Sequence, residues 1–92
     1  MISDKELENM EKAIAEIGAA NTCVTGPIMN GAKDALMNKG YEAAELYASQ
    51  LAGTDANTEL LRVLMICKKY NLGTEAAVKV LDNLTKIETG KW

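Results

Sequence analysis

The sequence predicts an all-α protein, folded as a compact bundle of about five helices in one domain. Its 92 residues are 48% hydrophobic and include a single proline, a composition typical of globular chains. Apolar residues recur at three- and four-residue spacing, and no useful length of the chain alternates apolar and polar residues. The predicted order is a helix at residues 4–24, helical hairpins at 27–53 and 56–87, and a short tail at 88–92.

The first helix begins at a capping box formed by Ser3 and Glu6. The Ser3 hydroxyl can accept a hydrogen bond from the Glu6 amide, and the Glu6 carboxylate can reach back to the Ser3 amide. Apolar residues with heptad spacing follow, so they form a seam that either covers the rest of the chain or pairs with a second copy. We expect most of it to be covered within the chain. The seam consists of Leu7, Met10, Ile14, Ile17 and Val24, with Asn21 in the remaining place.

Residues 27–53 are predicted to form the first helical hairpin. Pro27 lies at the start of its first helix, because proline lacks a backbone amide and cannot continue a preceding helix. Gly40 can take the left-handed conformation that closes this helix. The second helix of the hairpin is then expected over residues 42–51.

The second hairpin, at residues 56–87, contains the helix that we expect to be most deeply buried. That helix is apolar around most of its circumference and leaves a narrow exposed stripe near Arg62 and Lys69. The last helix, capped by Thr74, has one apolar face and one charged face. Its charged residues are spaced as ion pairs on a solvated surface.

An internal repeat relates the two hairpins. Residues 38–44 and 71–77 share the pattern N-x-G-x-E-A-A at a separation of 33 residues. Asparagine and glycine favour a turn, glutamate suits the first turn of a helix, and the alanines allow close helix packing. The pattern resembles tetratricopeptide-type helical-hairpin repeats. That resemblance, over about residues 27–87, implies a protein-binding groove and carries over no specific binding residue.

The composition argues against an enzyme. Histidine is absent, which removes the usual general base at neutral pH and the commonest zinc ligand. Cys23 and Cys67 lie in apolar stretches without C-x-x-C spacing, so we expect buried thiols in a reduced, cytoplasmic chain. We predict no catalytic residue, cofactor or metal site. The longest apolar run is residues 63–67, and we expect neither an export signal nor a membrane span.

The charge balance favours a protein partner. Thirteen acidic residues against ten basic ones give a net charge of -3, which disfavours nucleic acid and anionic membranes as partners. The excess of acids falls in the first half of the chain. We therefore predict a small acidic adaptor or inhibitor that binds a protein partner, itself basic, and we leave a homo-oligomer open. The candidate partner-binding residues are Glu8, Glu11, Glu16, Met29, Met37 and Tyr41.

Two alternatives remain at this point. Residues 60–84 have the small and apolar spacing of a helix-turn-helix DNA-binding regulator, but the helix that would read bases has balanced charges and no arginine. The other alternative is an oligomeric module that sequesters a small anionic ligand. Its pocket would form where Tyr41 or Tyr47 meets lysines of a neighbouring subunit.

Overall fold

The computed structural model describes residues 2–20, 26–51 and 54–88 of the chain. These residues form helices and turns and contain no strand, which confirms the all-α prediction. Their five helices, in chain order, are α1 (Asp4–Ala19), α2 (Gly26–Lys39), α3 (Tyr41–Ser49), α4 (Thr54–Lys69) and α5 (Thr74–Glu88).

The observed helix bounds differ from the predicted ones mainly at the end of α1. This helix ends at Ala19, although the prediction extended it to residue 24. Residues 21–24, which include Asn21 and Val24 of the predicted seam, lie outside the described residues, as does the tail at 89–92. At the start of α5, Thr74 is the first helical residue and does not precede the helix as a cap.

Half of the predicted capping box of α1 is present. The Ser3 side chain accepts a hydrogen bond from the Glu6 amide at 3.1 Å. The Glu6 carboxylate serves another helix, because its Oε2 accepts from the Gly73 amide at 2.7 Å. Gly73 directly precedes α5, where unpaired amides and the helix dipole favour a negative charge. Glu6 therefore joins the first turn of α1 to the start of α5.

The helices pack as a closed ring. Helix α2 packs against α3 and α5, α3 packs against α4, and α1 packs against both α4 and α5. Helices α4 and α5 contact each other only sparingly. Helix α1 thus closes the ring by covering the gap between α4 and α5, in agreement with the expectation that most of its apolar residues are covered within the chain.

All five helices contribute side chains to one buried core. Helix α4 supplies more of the large, fully buried side chains than any other described helix, as its apolar circumference predicted. Helix α3 contributes only the alanines Ala44 and Ala48 to the fully buried set, which lets its backbone approach its neighbours closely. The largest fully buried side chains are Ile17, Met29, Leu36, Leu60, Val63, Leu64, Cys67, Val80 and Leu81.

The internal repeat is not confirmed, because its two turns have different backbones. In the first turn Gly40 alone separates α2 from α3 and has a φ of 85°. In the second, four residues separate α4 from α5, and the left-handed residue is Asn71, with a φ of 57°. The sequences differ at one decisive position: Leu72 is buried, whereas its counterpart Lys39 is charged and exposed. The buried side chain at the second turn thus has no counterpart at the first turn. The tetratricopeptide-type resemblance stays a hypothesis.

Two glycines give a first test of the packing. A Cβ at Gly31 on α2 would lie 2.9 Å from Cε1 of Tyr47 on α3 and would also overlap the Tyr47 hydroxyl. Gly31→Ala is therefore expected to lower the free energy of unfolding by about 1–2 kcal/mol. Gly18→Ala is the control, because nothing lies within 4 Å of a Cβ there. It should raise stability by about 0.5 kcal/mol. Urea unfolding that changes both variants in the same direction would contradict this packing.

Candidate protein-binding surfaces

The outer side of α1 carries a row of exposed acids. Asp4, Glu8 and Glu11 are all exposed, and their spacing of four and three residues aligns them along one side of the helix. Leu7, at one edge of this row, is an exposed apolar side chain with 47% of its surface accessible. The Lys5 Nζ lies 3.9 Å from the Glu8 Oε2, but both side chains are highly exposed, so this ion pair contributes little to stability. We call Asp4, Leu7, Glu8 and Glu11 the acidic face.

Glu16, predicted as a third outward acid, lies at the edge of α1 that faces α4, and 34% of its side chain is exposed. Its Oε1 accepts a hydrogen bond from the Tyr70 hydroxyl at 2.7 Å and lies 2.9 Å from the Lys69 Nζ. These two partners lower the pKa of Glu16, and the same carboxylate raises the pKa of Lys69 and of Tyr70. Glu16 therefore bridges α1 and α4 and does not project freely into solvent as predicted, while its part in partner binding stays a prediction.

The two methionines proposed for partner contact lie in opposite environments. Met29 is 2% exposed and belongs to the core, so its prediction as a surface contact is wrong. It shares the inner side of α2 with Ala32 and Leu36, three and seven residues further on. Met37 lies one residue beyond Leu36 and is 62% exposed, as predicted.

Met37 borders a groove between the last turns of α2 and the first turns of α5. The groove has a volume of about 240 Å³. Met37 and Val78 make it apolar, while Glu75 and Lys79, one turn apart on α5, bring opposite charges to its lining; Thr74 completes it. Sequence reasoning missed this groove because it assigned Val78 to the inner face and the two charges to an ordinary solvated surface. We call this site the α2–α5 groove.

Tyr41, the last predicted contact residue, has a structural role. Its hydroxyl donates a hydrogen bond to the Leu72 carbonyl at 2.8 Å, which ties the start of α3 to the turn between α4 and α5. Lys68 lies over its ring, with Nζ 6.0 Å from the ring centre, and 3.5 Å from Glu45. Burial raises the pKa of Tyr41, with smaller contributions from Cys67 and nearby carboxylates.

Removal of the Tyr41 hydroxyl is expected to weaken this tie. Tyr41→Phe leaves the half-buried Leu72 carbonyl without its donor and should lower the free energy of unfolding by about 1–1.5 kcal/mol. Tyr70→Phe is the matched control, because it removes a hydroxyl whose acceptor, Glu16, retains Lys69. Chemical denaturation should show the larger loss for Tyr41→Phe. Equal losses in the two variants would contradict the assignment.

Alkaline pH should reveal the same half-buried hydroxyl. In the unfolded chain tyrosine ionises near pH 10 and cysteine near pH 9, whereas burial raises the pKa of Tyr41 and raises that of Cys67 to about 12. The folded state then holds more protons above pH 9, so the free energy of unfolding falls as pH rises. Tyr41→Phe should make this fall shallower above pH 10. A decline parallel to that of the wild type would contradict the prediction.

In the part of the chain that the structure describes, the lysines beside the α4–α5 turn, where the helix-turn-helix alternative would need a basic surface, lie next to acids of other helices. Lys68 and Lys69, the one adjacent pair of lysines in the sequence, lie near Glu45 and Glu16 from neighbouring helices. On α5, the helix that would read bases, Ala76, Ala77, Val80 and Leu81 are buried. These two observations do not favour DNA binding, which stays an untested alternative.

Neither a protein-family model, a curated protein sequence nor a solved structure matches the chain. Within the described residues, no group of three histidine, cysteine or carboxylate side chains could hold a metal ion. None of the helices in those ranges is long and apolar enough to span a bilayer. Function is therefore inferred from the two surfaces themselves, the acidic face and the α2–α5 groove.

Proposed function

We propose that this protein is a non-catalytic adaptor or inhibitor that binds the basic surface of a protein partner through the acidic face of α1. The observation that carries the proposal is the exposed row of Asp4, Glu8 and Glu11 with Leu7 at its edge. Carboxylates of this kind steer a basic partner and fix its orientation, while an exposed apolar side chain supplies contact area.

The other two acids of α1 support the proposal because they hold the helix in place. Glu6 accepts from the Gly73 amide, and Glu16 accepts from Tyr70 and Lys69. Helix α1 is thereby fixed to α4 and to the start of α5, so its outward acids are preorganised and lose little conformational entropy on binding. A cytoplasmic site of action belongs to the same proposal, and the buried free thiol of Cys67 supports it.

The test compares two variants with the same change in net charge. Glu8→Lys with Glu11→Lys reverses the acidic face, whereas Asp34→Lys with Glu42→Lys reverses two exposed acids on α2 and α3. Partners captured from the native host by the wild-type protein are identified and purified, and their affinity for each variant is measured by calorimetry. Circular dichroism checks that both variants are folded.

We expect reversal of the acidic face to weaken binding by at least about tenfold, and the control variant to retain most of the affinity. Wild-type affinity should also fall as salt is added, because the charges are exposed. Unchanged affinity of the Glu8→Lys, Glu11→Lys variant would refute the proposal. An equal loss in the control variant would also refute it, since the effect would then reflect net charge alone.

A further inference from the structure

No further inference is drawn: the strongest candidate, the α2–α5 groove beside the exposed side chain of Met37, carries nothing, because nothing in the described residues shows what covers it.

Discussion

Replacement of Leu64 by alanine is expected to lower the free energy of unfolding by about 3–4 kcal/mol. Leu64 lies on α4, is fully buried, and belongs to the core shared by all five helices. Removal of its branched end forfeits its transfer free energy and leaves a cavity that the rigid neighbours fill only in part. Domains of this size are stable by only about 5–10 kcal/mol, so this one change should remove roughly 30% or more of the total.

The adjacent residue provides the control for this prediction. Met65 is similar in size but 65% exposed, so Met65→Ala should change stability by less than about 0.5 kcal/mol. Thermal unfolding should separate the two variants clearly, since each kcal/mol shifts the Tm of such a domain by roughly 4–8 °C. Comparable losses for Leu64→Ala and Met65→Ala would mean that α4 is not oriented as described.

The second large effect is expected on α1. Ile17→Ala should lower the free energy of unfolding by about 2–4 kcal/mol, because Ile17 is fully buried where α1 packs on its own chain. Leu7→Ala, on the same helix but at an exposed position, should cost less than about 1 kcal/mol. Both losses should be independent of protein concentration in urea unfolding.

A concentration dependence of the Ile17→Ala loss would count against α1 as a cover for its own chain. If Ile17 were buried only by pairing with a second copy, dilution would shrink the difference in the free energy of unfolding between wild type and Ile17→Ala. Equal costs for Ile17→Ala and Leu7→Ala would contradict the burial pattern itself.

The fold class was predictable because local signals agree with the final packing. The apolar circumference of α4 predicted its burial, and Gly40 marked the end of α2 correctly. The inner side of α1 was less predictable, since small residues were left out of the assumed heptad seam. Ala13 is fully buried while Leu7 is exposed, so the inner face is centred on Met10, Ala13 and Ile17. That rotation brings Glu16 to the edge facing α4.

The candidate surfaces depend on contacts that are distant in sequence. Both methionines of α2, Met29 and Met37, were predicted as contact residues from the sequence. The packing of the other helices buries Met29 and leaves Met37 exposed at the groove. The backbone of the turn between α4 and α5 likewise depends on distant contacts. Leu72 is buried there, and its carbonyl accepts a hydrogen bond from the Tyr41 hydroxyl. The exposure of Glu8 and Glu11 was predicted correctly, because no other described helix covers their side of α1, while their part in partner binding stays a prediction.

The most direct test of the account is whether α1 packs on α4 of the same chain, which turns the acidic face outward. An equimolar mixture of isotope-labelled and unlabelled protein allows nuclear Overhauser effects within a chain to be separated from those between chains. Contacts between the Tyr70 ring and the Glu16 side chain should appear only within a chain. The same contacts in the spectrum selective for different chains would show that α1 covers a second copy, and would contradict the account.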